Sequence, residues 1–292
     1  MTRESPDAQI VDAVLAWYHA AGRDLPWRDG RASAWGVLVS EVMLQQTPVA
    51  RVEPVWREWM ERWPTAGDLA AASQADAVRA WGRLGYPRRA ARLWDCARVL
   101  MERHGGEVPH APDDLLALPG VGDYTAAAIT SFAHGGRAEV LDTNVKRVLA
   151  RVWGGVEFAP TAGVTAAERQ LAREILPQEP ARAAEWAVAS MELGALICTA
   201  RAPRCGECPI AQHCAWRAAG YPAAPASGRK SQPWHGTDRQ VRGRIMAVLR
   251  EAHGPVAVTG IEGVEAEQFS RALASLIADG LVTGRADGTY SL

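Results

Sequence analysis

Two carboxylates and a glycine hairpin carry the chemistry of this chain. From Leu118 the sequence runs Leu-Pro-Gly-Val-Gly-Asp-Tyr-Thr-Ala-Ala-Ala-Ile, and after Ala138 to Leu141 it reaches Asp142, Thr143, Asn144 and Val145. Gly120 and Gly122 allow a tight turn with positive φ. Around Val121 they leave backbone N–H groups bare at the start of a helix, where an anion such as a phosphate is favoured. An ionised Asp142 could then stabilise positive charge developing on a sugar. The other carboxylate, Glu41, sits inside the otherwise apolar helical run Val37 to Thr47. In an apolar cleft its charged form is disfavoured, so its pKa rises and it can hold a proton as a general acid. Blander readings exist for both: an ordinary turn between helices, and a glutamate on a solvated helix side.

Cys198, Cys205, Cys208 and Cys214 follow the spacing C-x6-C-x2-C-x5-C, directly after an amphipathic run from Trp186 to Ile197. Four thiolates so close in sequence can enclose one metal centre. A structural zinc site usually draws on two short pairs, and here only Cys205 and Cys208 make one. The longer gaps suit a 4Fe-4S cluster, which takes four cysteine thiolates. Disulfides fit poorly, because nothing marks the chain as secreted and the fifth cysteine, Cys96, lies far off in a helical pattern and reads as core.

The 292 residues and 48% hydrophobic content suffice for about two domains with a substantial core. No apolar run approaches the roughly 18 residues of a membrane span and the N-terminus has no apolar signal region, so a cytoplasmic, nucleoid-associated protein is expected. A formal net charge of −1 argues against a broadly basic DNA binder and leaves binding to local clusters. These are Arg88, Arg89 and Arg92; Lys146, Arg147 and Arg151; and Arg201 with Arg204. Each could meet phosphates, or be a solvated helix face. Only Lys146 and Lys230 are lysines among the 32 basic residues, which limits amine chemistry.

Taken together, the run Ser40-Glu41-Val42-Met43-Leu44-Gln45-Gln46-Thr47, the hairpin with Asp142, and the cysteine spacing resemble the MutY-type adenine DNA glycosylases of the helix-hairpin-helix, endonuclease III-like superfamily. Arg23-Asp24-Leu25-Pro26-Trp27-Arg28 looks like that family's entry motif and Gly82 to Tyr86 like its strand-probing loop, so the resemblance spans about residues 20 to 215. It implies removal of adenine mispaired with 8-oxoguanine or guanine in double-stranded DNA. Glu41 would protonate the extruded base, Asp142 would stabilise or transiently capture the sugar cation, and Asn144 would orient water or Asp142. Tyr124 stands where lyase relatives carry a Schiff-base lysine. A phenol cannot form that imine, which implies a monofunctional enzyme, with Tyr124 hydrogen-bonding beside Glu41 or the sugar.

The same resemblance implies that Arg23, Trp27 and Arg28 help build the base pocket. It implies that Gln46, Thr47, Leu84 and Tyr86 probe the duplex and the opposite base, and that Gly120, Val121, Gly122 and Lys146 meet phosphates. Two departures stand out. Pro87 replaces a second aromatic residue, and Val188 replaces a Glu or Gln able to bond the extruded base, which weakens adenine preference. The rival readings are a thymine-mismatch glycosylase, a lyase for oxidised pyrimidines and a non-enzymatic iron–sulfur DNA-binding regulator.

To position these groups, the resemblance implies a mainly α, two-lobed helix-hairpin-helix glycosylase fold over residues 1–217. A six-helix lobe is expected at about 30–135, and a second lobe from 1–29 plus 136–217, carrying the cluster loop 198–214. Composition then shifts to Ala, Gly, Pro and Ser, a linker at 218–235. Residues 236–292 read as a small winged-helix-like module. Val241, Ile245, Val248 and Leu249 recur at helical spacing, Phe269 to Asp279 form a second helix stopped by Gly280, and Asp287-Gly288 makes a hairpin turn. There is too little chain for the Nudix-like domain that ends longer relatives, and a monomer is expected.

Overall fold

The computed structural model describes residues 6–28, 30–159, 163–224, 235–252 and 254–292. Most of the linker expected at 218–235 lies outside the described residues. The helices are α1 (Pro6–Ala21), α2 (Ala34–Leu44), α3 (Val49–Arg62), α4 (Ala66–Ala71), α5 (Gln74–Ala80), α6 (Arg88–His104), α7 (Pro112–Leu116), α8 (Asp123–Ala128), α9 (Thr143–Val152), α10 (Ala166–Ile175), α11 (Pro180–Leu196), α12 (Ala215–Ala218), α13 (Asp238–Glu251) and α14 (Ala266–Ala278). Among the described residues there are also three short strands, β1 (Val256–Ala257), β2 (Thr283–Gly284) and β3 (Thr289–Ser291). No helix among the described residues is long and apolar enough to cross a membrane. The chain divides into two compact units: Met1–Leu38 with Pro109–Ala117 and Val121–Gly228, and Val39–Val108 with Leu118–Gly120 and Arg229–Leu292.

In the first unit, α9 places Val145, Val148, Leu149 and Val152 on one face, the i, i+3, i+4 recurrence of an amphipathic helix. That face joins Ile10 and Val14 of α1 and Trp186 and Leu193 of α11 in one buried core. The contact of α11 with α9 is close because residue 194 is glycine. A Cβ there would lie 2.7 Å from Asn144 Cβ and 2.8 Å from the Asn144 carbonyl oxygen. Gly194 thereby fixes the distance between α11 and the first turn of α9.

In the second unit, Trp59 meets Trp63 and Trp81 edge to face, with centroids 4.9 and 5.5 Å apart. Thr65 and Asp68 close a capping box at the start of α4, satisfying backbone donors that the first turn leaves open. The C-terminal part pairs α13 with α14 and forms an antiparallel sheet of order β1-β3-β2. Gly288 takes φ +79° in the β2–β3 turn, and Asp287 accepts from the Thr289 N–H. The helices and hairpin expected of a winged-helix-like module are present, with β1 as a third strand. One detail differs: Val248 is 41% exposed, and Met246 takes its place on the buried face. Helical spacing alone fits either residue, and tertiary packing decides between them.

Candidate catalytic residues and the cluster loop

Asp142 is the N-cap of α9. Its Oδ1 accepts from the backbone N–H of Asn144 at 2.8 Å and of Val145 at 2.7 Å, and its Oδ2 from the Asn144 amide at 2.7 Å. Those are the donors that a helix start leaves unpaired. Burial pushes the Asp142 pKa above its ordinary value; the bonds from Val145 and Asn144 and the charge of Arg147 pull the other way. Asn144 is held in turn, its Oδ1 accepting from Arg147 at 2.8 Å. Asn144 thus bonds both Asp142 and Arg147. Tyr124 packs against Ala128, Val140 and Ala187, with its hydroxyl 3.8 Å from the Met191 sulfur.

Several first-unit residues expected at DNA are engaged internally. Arg23 and Arg28 both bond Glu192, a side chain with no solvent exposure, at 2.6 and 2.7 Å, and Trp27 is buried. Burial would raise the Glu192 pKa, but the Arg23 and Arg28 hydrogen bonds and charges hold it down to about 2. Glu192 is a residue that sequence reasoning missed. Its only signal is a carboxylate between Met191 and Leu193 in an apolar helix, the same feature that singled out Glu41. Lys146 is also a correction. It is buried, sits 3.3 Å from Glu168 and donates to the Gly163 carbonyl, so it turns inward rather than toward a phosphate. Arg147 and Arg151 donate to carbonyls of Gly194, Cys198 and Thr199. The hairpin differs in one respect. Gly120 has φ +83°, but Gly122, the N-cap of α8, has φ −112° and ψ −177°, extended backbone that any residue adopts.

In the second unit Glu41 is 5% exposed on α2, beside buried Val42 and Met43. The last turn of α2 ends on Arg89, the other charged residue that its sequence context concealed. Arg89 is buried and donates to the carbonyls of Val42, Met43, Gln45 and Gly85 at 3.0, 3.0, 2.5 and 3.0 Å, and to Thr47 Oγ1 at 3.0 Å. Burial lowers its pKa to about 10. Arg89 therefore cannot be the phosphate contact expected of its cluster, because it caps orphan helix carbonyls. Gln46 and Tyr86 flank this clamp, both exposed and both in the left-handed region, with φ +57° and +49°. Non-glycine residues held there concentrate at functional sites. Leu84 and Thr47, expected beside them at the duplex, are buried.

The four cysteines Cys198, Cys205, Cys208 and Cys214 line one pocket, with Val148, Leu193 and Ile210 behind them. Among the described residues no group of three or more His, Cys, Asp or Glu side chains is placed to hold a single metal ion. Burial first, and the neighbouring Cys198, Cys214 and Cys205 with it, pushes the Cys208 thiol up to about 11. A cationic iron centre relieves that repulsion and takes the thiols as thiolates, so the donor set fits a cluster. Arg151 reaches the Cys198 sulfur at 3.3 Å, and Arg204 turns onto the Leu196 carbonyl and Glu207. Cys96 is buried core, its thiol raised to about 12 by burial.

Residues 39–174 match the HhH-GPD superfamily of base excision DNA repair proteins. Residues 198–214, running from the first of the four cysteines to the last, match the iron–sulfur binding domain of endonuclease III. The cofactor of this loop is one 4Fe-4S cluster. An adenine DNA glycosylase of Mycolicibacterium smegmatis is 49% identical over 282 residues, 96% of this chain and 94% of that protein. One of Mycobacterium tuberculosis is 50% identical over 284 residues, 96% and 92% of the two chains. The solved structure of a thermostable thymine-DNA glycosylase superposes with a TM-score of 0.66 at 27% identity, covering 73% of this chain and 97% of that one. With about half of its residues shared along nearly its whole length, the chain belongs to the adenine DNA glycosylases of the HhH-GPD base excision repair superfamily.

Proposed function

We propose that this glycosylase removes adenine mispaired with 8-oxoguanine or guanine in double-stranded DNA, hydrolysing the N-glycosidic bond without cutting the strand. The observation that carries the reading is Asp142, a carboxylate fixed at a helix start by two backbone donors and the Asn144 amide. In the proposed reaction Glu41 delivers a proton to a ring nitrogen of the extruded adenine. The bond from the sugar to the base breaks with its electron pair going to the base, and ionised Asp142 stabilises the oxocarbenium-like sugar. Water adds to the anomeric carbon and gives up a proton that restores Glu41, leaving an abasic site. Asn144 keeps Asp142 aimed, and Tyr124 supports a monofunctional course because it offers no amine for an imine. Val188 offers the base no hydrogen bond, so rejection of other bases in its place is weaker.

Cys198, Cys205, Cys208 and Cys214 would hold the cluster, whose part is to brace residues 198–214 rather than to take a share in bond breaking. The DNA substrate assigns the work to the nucleoid, in the cytoplasm, and the two-carboxylate chemistry calls for one copy of the chain. The test is base release from duplexes carrying A opposite 8-oxoguanine, G or C, and T opposite G, before and after alkali. Breaks at A opposite 8-oxoguanine or G that need alkali, and that fall about 100-fold or more in Glu41→Gln and Asp142→Asn, are the expected result. Release untouched by both substitutions, or confined to thymine, overturns it.

A further inference from the structure

Tyr86 is exposed, yet its ring is not free. Within the second unit the Arg89 guanidinium lies 5.5 Å from the ring centroid, and Arg239, from the first turn of α13 in the C-terminal module, lies 4.8 Å from it. The module is latched to the same stretch by Asp279, at the end of α14, which accepts from Arg88 at 2.7 Å and from Arg242 of α13. Two contacts therefore join residues 83–88 to the C-terminal module, and one of them is made to the exposed aromatic ring itself.

We propose that Arg239 is a positioning residue, through which the C-terminal module holds Tyr86 in the conformation that probes the strand opposite the extruded base. The inference rests on the proposed reading of Tyr86 as a residue that enters the duplex. A guanidinium over an aromatic face attracts it electrostatically and stacks on its plane. Tyr86 holds φ +49°, a backbone conformation that persists only where its surroundings fix it. Arg89 is committed to carbonyls at the end of α2 and before α6, so Arg239 is the half of the pair that the C-terminal module supplies. Selectivity for the base opposite adenine then depends on a module outside the residues that perform the chemistry.

The test compares wild type, Arg239→Ala, Arg239→Lys, Tyr86→Leu and the double variant Arg239→Ala/Tyr86→Leu. Single-turnover adenine release is measured opposite 8-oxoguanine and opposite C, along with 2-aminopurine fluorescence beside the mispair as a report of unstacking. Arg239→Ala is expected to compress the ratio of the two rates about three- to tenfold and to lower the fluorescence rise. Arg239→Lys, which keeps the cation, recovers part of both, and Arg239→Ala adds nothing in the Tyr86→Leu background. Melting temperatures guard against loss of fold, which an exposed side chain at the start of α13 does not threaten. A wild-type ratio and fluorescence in Arg239→Ala, or an effect of Arg239→Ala that is equal in the wild-type and Tyr86→Leu backgrounds, overturns the inference. Failure of wild type to release adenine sinks the function reading instead, and the fluorescence arm still decides the coupling.

Discussion

Asp142 and Glu192 are both carboxylates taken out of water, and their environments push them in opposite directions. Burial dominates at Asp142 and raises its pKa above the ordinary 3.8, so the ionised form required by the proposed chemistry is lost as pH falls through a value higher than that of a free aspartate. The acid limb of single-turnover adenine release should therefore lie above the usual aspartate range. Asn144→Ala should move it higher still, because it removes a donor that favours the charged form. An unmoved limb would separate Asp142 from the reaction. At Glu192 two arginines outweigh burial and hold the group near 2. Its stabilisation is complete above the ordinary 4.5 and is lost as pH falls from there toward about 2. Glu192→Gln should cost about 3 kcal/mol in urea unfolding, the low end for a broken buried pair because Arg23 is 35% exposed. A loss under about 1 kcal/mol would mean that the arginines find water or other acceptors.

At the scale of elements, two close approaches set where the carboxylates sit. Arg89 gathers carbonyls from the end of α2 and from the loop before α6, work that a planar five-donor group can do and an ammonium cannot. Arg89→Lys should therefore destabilise by about 2 kcal/mol and should also slow adenine release, since Glu41 lies on the helix it caps. Gly194→Ala places a Cβ against backbone atoms of Asn144 and should cost about 1 to 3 kcal/mol with a parallel loss of activity. A crystal structure of that variant with Asp142 undisplaced would refute the positional argument. Much of this framework was legible in the sequence. The cluster Lys146, Arg147 and Arg151, as a helical stretch after Asp142, falls on α9, and the four cysteines give the cluster loop. Arg89, Glu192 and Lys146 were not legible, because a charged residue in an amphipathic helix is written the same way whether it faces solvent or a partner far away in sequence. Gly122 was misread for a related reason: glycine permits positive φ without requiring it.

At the scale of the whole molecule, the cluster loop bears on the first unit's framework more than on reactivity. Arg147 and Arg151 leave α9 to bond the Cys198 and Thr199 carbonyls, and Val148 of α9 lies behind the cysteines. The helix that begins at Asp142 is thus tied to the loop at both its middle and its end. Without iron, burial above all pushes the Cys198 and Cys208 thiols up, and metal binding of this kind is coupled to folding. Cys208→Ala or exhaustive chelation should remove the visible absorbance of the cluster and lower the melting temperature. In hydrogen exchange, protection should fall in α9, α11 and residues 197–217 while α3 to α6, which belong to the other unit, keep theirs. Adenine release should fall with the protection of α9, because Asp142 depends on that helix's first turn for two of its donors. Protection lost evenly from both units would make the cluster a brace for the entire fold. Protection kept in α9 with activity gone would give the iron a part in the reaction itself.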